Sequence, residues 1–381
     1  MNSNRALMHC ALDAARKAGA AAAEALLSRG TSLSIKVFEG SIESLERSET
    51  AGIGMRVLCG GREGYAHTER LDEEGVRKAA GWATENAGVG REDPAICIRD
   101  YPEGPKVGET FNPDLPAVAL SKKIDLAHSL ETSARDLDKR IVNVPHSGYV
   151  EGDFEIFIAN TGGLERNLRG NYAGVYCVPL AIDGEKRQTG YRVEVSRSFD
   201  ELEKKPVGSE AARRALELLG ASQIESGTMS VLFENLAFCD MLGTFSGMFS
   251  GKSAEEGRTV LAGRVGETIA APTIKIVDDA TLDGGFVSRP FDMEGHPTKR
   301  YEVVGGGRFN GFMHNTATAG RAKSASTGHA WRGYKGTLSV APSNFFIDGP
   351  ARPLGDVIGG MERGIMAVSY THLRAHETVL D

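Results

Sequence analysis

Apolar residues recur at two different periods along this chain, and the switches between them mark its elements. Leu7, Cys10, Ala11 and Ala14 share one helical face, so residues 4–18 predict a helix stopped at Gly19. Residues 20–28 are alanine-rich yet lie just ahead of a strand run, which leaves helix and edge strand both open. From Ser32 the period falls to two: Leu33, Ile35 and Val37, then Ile42 and Leu45, then Ile53, Met55 and Val57. Glu39-Gly40, Ala51-Gly52 and Gly60-Gly61 separate these runs as turn signals, so an antiparallel meander is predicted. Val76, Ala80, Ala83 and Ala87 return to helical spacing behind Asp72, Glu73 and Glu74, whose charge suits the positive end of a helix dipole. Pro94, Pro102, Pro105, Pro113 and Pro116 then make residues 88–116 a long loop, read as a surface lid or, in preference, a poorly ordered excursion.

Leu120, Ile124, Ala127, Leu130, Ala134 and Leu137 mark a further helix, and strands return at 141–144, 154–159, 172–182 and 191–195. Ser198 and Glu201 have capping-box spacing, and Ala212, Ala215, Leu216 and Leu219 form another helical face closed by Gly220. Residues 221–227 are polar and turn-rich, and the domain boundary is placed there. Beyond it Val231, Leu232 and Phe233 predict a strand running into an apolar helix, with Phe238, Leu242, Phe245 and Phe249 as its core face and Gly243, Ser246, Gly247 and Ser250 opposite. The remainder carries strand signals, among them Asn310-Gly311 between Val303-Val304 and Phe312-Met313, a hairpin pattern. The predicted fold is α+β. An N-terminal antiparallel sheet with flanking helices fills residues 1–220, and a mostly-β, barrel-like C-terminal domain with one central apolar helix fills 221–368.

Composition narrows the function classes. The 381 residues are 25% charged and 41% hydrophobic, with a net charge of −7 and no basic cluster, so a nucleic-acid surface is not expected. Glycine at 47 residues, well above the roughly 7% usual share, fits many tight turns between short strands. The five cysteines are scattered and never spaced as CxxC, so they are read as mostly buried thiols. No signal-peptide succession opens the chain and no apolar run reaches the roughly 18 residues of a membrane span, so a cytoplasmic protein without membrane contact is expected.

Residues 369–381 change texture abruptly and look like a translated read-through, foreign to the rest. His376-Glu377 imitates the start of a zinc helix, but no second histidine follows it. Residues 315–333 are small and polar. They are read either as a connecting loop or as a groove lining of amides and hydroxyls that holds a peptide backbone. The groove reading selects Asn315, Thr316, Thr318, Ser326, Thr327, Gly328 and His329 as substrate contacts.

Three stretches resemble the TldD/PmbA proteins (peptidase family U62): GIGMRVLCGGREGYAHT at 52–68, ALELLGASQIESGTMSVLF at 215–233, and the runs at 263–279 and 292–332. The resemblance implies a cytosolic metalloprotease of two related subunits acting on unfolded peptides. It also implies further C-terminal strands, so the chain is read as truncated, with an exposed sheet edge and poor solubility when expressed alone. The catalytic TldD subunit carries HExxxH on the helix corresponding to the apolar one here: two imidazoles hold zinc and the glutamate takes a proton from the bound water. The corresponding positions here are Leu242, Gly243 and Gly247, and no histidine lies between His146 and His296. On that basis the chain resembles the PmbA/TldE subunit, with no catalytic or metal residue of its own, zinc in the partner, and a TldD-like chain and peptides as its partners. Cys239 and Asp240 on the same helix are read as core and cap. Two alternatives stay open: a stand-alone metallopeptidase using His296, His314 and His329, and a non-enzymatic peptide-binding protein.

Overall fold

The structure, a computed structural model, describes residues 2–221 and 225–368. The terminal stretch 369–381 read as foreign lies outside the described residues. Seven strands build the main sheet: β1 (Ala22–Phe38), β2 (Ser41–Cys59), β3 (Arg62–Thr68), β4 (Ile141–Asn160), β5 (Glu165–Asp183), β6 (Lys186–Thr189) and β7 (Arg192–Ser196). Their order is β3-β2-β1-β4-β5-β6, with β7 also on β5, and every pairing is antiparallel.

Strand parity divides this sheet into two working faces. Ala23, Ala25, Leu27, Ile35 and Val37 of β1 are all odd-numbered, so they project to one side. Near one end of the strands that side packs on α1 (Asn2–Lys17) and α2 (Glu73–Gly88); near the other it packs on α4 (Leu120–Arg135), α5 (Phe199–Glu203) and α6 (Val207–Leu219), following the short α3 (Asp114–Ala117). Leu26, Ile158 and Leu168 point to the opposite side, where they meet Phe291 and Met293 of the second half of the chain. Over residues 23–27 both faces of β1 are buried because both are covered.

Three sequence expectations change here. Ala51-Gly52 is no turn, since β2 runs straight through it. Gly52 faces the ring of Tyr334, where a Cβ would lie 2.1 Å from a ring carbon, so the glycine permits close approach instead of a reversal. Residues 89–113 hold no helix or strand beyond an isolated bridge at Glu92, but they are not a loose excursion. They form a strap pinned by side chains: Asn160 to the Arg99 carbonyl at 2.8 Å, Arg166 to the Tyr101 carbonyl at 2.7 Å, and Asn112 with Asn171 reciprocally. At Ser198 the side chain caps nothing; Ser196 Oγ binds Glu201 and accepts the Ser198 N–H instead.

The second half is built from small pieces. A four-stranded antiparallel sheet orders β11 (Arg308–Phe309), β10 (Arg300–Gly305), β9 (Lys275–Asp279) and β14 (Phe345–Asp348). Separate pairs join β12 (Ala330–Trp331) with β13 (Ser339–Val340), and β8 (Ser230–Phe233) in parallel with β15 (Gly364–Ala367). The hairpin turn between β10 and β11 is Gly306-Gly307, at φ 57° and 78°, not Asn310-Gly311. The expected apolar helix is α7 (Asn235–Phe245) tightening directly into a 3₁₀ turn (Ser246–Phe249), and extended Ser250 separates that turn from α8 (Gly251–Glu255). Phe249 enters the core while Phe245 is 42% exposed, so the four phenylalanine and leucine positions do not share one buried face. Cys239 and Asp240 are exposed and lie inside α7, whose cap positions are Glu234 and Ser246, so they are neither core nor cap, and of the five free thiols only Cys177 is buried. Among the described residues no helix is long and apolar enough to cross a membrane.

Candidate functional site

The loop around α9 (Thr316–Arg321) gathers most of the residues selected from sequence, and its geometry starts at Asn315. That residue is the N-cap: its side chain accepts the Thr318 N–H at 2.9 Å, and Thr318 Oγ1 accepts the Asn315 N–H at 3.2 Å, a reciprocal capping box. Thr318 Oγ1 also meets His314 Nδ1 at 3.0 Å. From the other side Thr327 Oγ1 accepts the His314 N–H at 2.6 Å and lies 2.7 Å from His329 Nδ1. His329 Nε2 meets Asp278 Oδ2 at 2.9 Å, and Ser343 gives that carboxylate both its N–H and its hydroxyl.

One proton arrangement satisfies this chain of groups. His329 donates from Nε2 to Asp278, so its Nδ1 accepts from the Thr327 hydroxyl, whose oxygen takes the His314 N–H. The order hydroxyl, imidazole, carboxylate is that of a nucleophile relay, but Thr327, His329 and Asp278 are buried and the hydroxyl is engaged on both sides. The array staples the loop to β9. Gly328 completes the staple at φ 78°, with Pro297 O only 2.7 Å from where a Cβ would stand.

Of the seven selected residues, Thr316 and Ser326 line an open cleft of 840 Å³ between the strap and α9, together with Cys97, Arg99 and His296. Thr327 lines a second cavity of 430 Å³ with Glu255, Tyr301 and His314. Asn315, Thr318, Gly328 and His329 line neither; their polar atoms serve the loop itself. His296, His314 and His329 do not assemble as ligands: among the described residues no three or more His, Cys, Asp or Glu side chains form a group able to hold a metal ion. Burial lowers the pKa of both His296 and His314, keeping them neutral.

Sequence reading passed over a buried cluster of charges. Where the main sheet meets the second half, Arg56 Nη1 lies 3.7 Å from Glu24 and 3.3 Å from Glu294, its Nε 2.5 Å from Glu63, and Arg332 Nη2 2.6 Å from Glu24. Glu24, Arg56 and Glu294 are each 1% exposed. Burial raises the Glu24 pKa, although Arg332 and Arg56 pull it down. Tyr65 is likewise raised by burial. Glu294 Oε2 then accepts the Thr316 N–H at 2.9 Å, and Tyr101 of the strap meets Thr316 Oγ1 at 2.8 Å. The α9 loop, the strap and the main sheet are thus joined at Thr316. A usable signal existed: Glu24 and Arg56 each interrupt a run that is apolar on both faces, and a charge in a strand covered on both sides must be paired.

Family models match this chain in three successive stretches: PmbA/TldA metallopeptidase domain 1 at residues 23–87, the central domain at 113–219, and the C-terminal domain at 226–379. The chain belongs to the PmbA/TldD family. The third match runs on over the terminal stretch read as foreign. An Escherichia coli O157:H7 relative named metalloprotease PmbA is 25% identical across 81% of this chain and 69% of its own. An uncharacterized protein of Methanocaldococcus jannaschii is 26% identical across 87% and 76%. TldE from Thermococcus kodakarensis shares the fold of this PmbA/TldD family member with a TM-score of 0.87 and 21% identity, over 95% of this chain and 82% of that one. So does a Thermotoga maritima protein described as a putative modulator of DNA gyrase, with a TM-score of 0.86 and 24% identity over 96% and 82%.

In this PmbA/TldD member the helix that the resemblance aligns with HExxxH offers a buried Leu242 and two exposed glycines, Gly243 and Gly247. None of the three carries a donor atom on its side chain, so these positions do not fit a zinc ion.

Proposed function

We propose that this chain is the PmbA/TldE-like subunit of a TldD/TldE-type metalloprotease acting on unfolded peptides, and that a TldD-like partner supplies the zinc. The observation that carries the reading is the set Leu242, Gly243 and Gly247 at the positions of the metal ligands and base. A subunit without the metal contributes substrate contacts, and the 840 Å³ cleft beside Thr316 and Ser326 is the surface we assign to them. Asn315, Thr318, Thr327, Gly328 and His329 act behind that surface, holding it in shape. Among the described residues the stand-alone peptidase reading has no convergent ligand set to rest on, and both His329 nitrogens are already engaged.

Purification of the chain alone and together with a TldD-like chain bearing HExxxH tests the assignment. Metal analysis and hydrolysis of an unfolded protein such as casein are expected to give zinc and activity only in the pair. Stoichiometric zinc with peptidase activity in the chain alone overturns it.

A further inference from the structure

Two arginines are among the largest fully buried side chains of the protein, and their surroundings differ. Arg56 is ringed by Glu24, Glu63 and Glu294. Arg289, 2% exposed, finds no hydrogen-bond acceptor for Nε, Nη1 or Nη2 among the described residues. Its main chain is held on both sides: the N–H donates to the Ala280 carbonyl at 2.9 Å, and its carbonyl accepts the Thr298 hydroxyl. The orphaned fork is therefore carried by a fixed stretch of backbone.

The two aspartates whose charge acts on Arg289 are committed elsewhere. Asp278 takes the N–H and hydroxyl of Ser343 and meets His329. Asp292 accepts the N–H groups of Glu294, His296 and Ala330 at 2.9, 3.0 and 3.0 Å. Burial lowers the Arg289 pKa, and the opposite pull of these two aspartates does not make up the loss. Arg289 Cζ stands over the Trp331 ring, 5.1 Å from its centroid, a contact that stabilises the cation but gives no nitrogen an acceptor atom. The Trp331 side of this pair faces solvent, since that residue is 41% exposed.

A buried guanidinium needs acceptor atoms and countercharge together, and water supplies only the first. The planar fork of N–H donors matches a carboxylate, which takes two of them at once; chloride brings charge without that match. Enclosure limits the size of the occupant, because a guanidinium buried to this degree is reached by a group of a few atoms and not by a length of peptide. We infer that Arg289 anchors a binding site for a small free carboxylate, with Trp331 as the cover that turns aside to admit it. Neither residue lines the cleft beside α9, and the site stands or falls independently of the subunit assignment above.

The chain has two tryptophans, so Trp82→Phe leaves Trp331 as the sole indole reporter. Replacing sodium chloride by sodium acetate at constant ionic strength is expected to change its emission saturably and to raise the melting temperature. Arg289→Lys keeps the charge and loses the fork, and is expected to weaken acetate binding by about tenfold. Arg289→Met removes an uncompensated buried cation, and is expected to melt above the parent in chloride and to ignore acetate. No saturable response of the parent to acetate overturns the proposal, and a response that Arg289→Met retains does so too, since the carboxylate then binds elsewhere. Tighter binding of N-acetylalanine, which mimics a peptide C-terminus, overturns the small free ligand. The acetate titration of the parent needs no change at Arg289, so it decides the matter even where an arginine variant misfolds.

Discussion

The His314 N–H and His329 Nδ1 meet at one hydroxyl, that of Thr327, while the His314 ring meets Thr318 Oγ1. Burial holds the His314 imidazole below its ordinary pKa of 6.5. The linkage follows in sign: above the unfolded value neither state is protonated and the contribution is whole. As pH falls below it, the unfolded chain takes the proton first, and stability drains away down to the folded value. His296, lowered mainly by burial, adds in the same sense. Melting temperatures of the chain and its His296→Gln/His314→Gln variant, compared from about pH 7 to pH 5, are expected to converge on the acid side. Curves that stay parallel would place the acid loss elsewhere. These residues were legible as polar and clustered from residues 314–329, but their role was not. Spacing shows that hydroxyls and imidazoles lie near one another in the chain, and only the fold shows that they satisfy each other.

Elements were easiest to foresee where one face alone is buried. Helix α2 announced itself through Asp72, which accepts the Gly75 N–H at 2.8 Å, and through the small residues Val76, Ala80, Ala83 and Ala87 that let it lie close to β3. The closeness is set by Gly64, where a Cβ would stand 2.0 Å from the Ala83 carbonyl oxygen and 2.5 Å from the Ala87 nitrogen, both rigid helix backbone. Gly64→Ala is expected to cost about 1–3 kcal/mol as helix and sheet part. Gly81 on the same helix has nothing within 4 Å, and Gly81→Ala is expected to add about 0.5–1 kcal/mol through backbone entropy. Urea titration of both variants checks the pair; equal effects would mean the packing distance does not matter. The same reasoning shows why β2 was divided too early. Glycine reads as a turn in sequence, yet at Gly52 it admits a ring arriving from residue 334, nearly 300 positions away. The strap was misread for a related cause: prolines exclude helix and ladder, but say nothing about side chains elsewhere that capture bare carbonyls.

At the scale of the whole molecule, two halves are held by charges removed from water. Arg56 serves Glu24 and Glu63 of its own sheet and Glu294 of the other half. Arg56→Ala leaves Glu24 and Glu294 buried without their shared cation, and is expected to destabilise the fold by about 3–5 kcal/mol in urea unfolding. Arg70→Ala, which loses only the exposed partners Asp72 and Glu74, is expected to leave unfolding unchanged. A small effect at Arg56 would show that water reaches the junction. The location of this cluster also orders events in time. Arg56 and Glu24 leave the ribosome together, whereas Glu294 and Arg332 follow some 240 to 310 residues later. At about 5–20 residues per second, the nascent sheet waits on the order of tens of seconds with its inner face and ionised pair open to solvent. Chaperone demand should therefore peak during synthesis of the second half, and ease when Arg332 closes the junction.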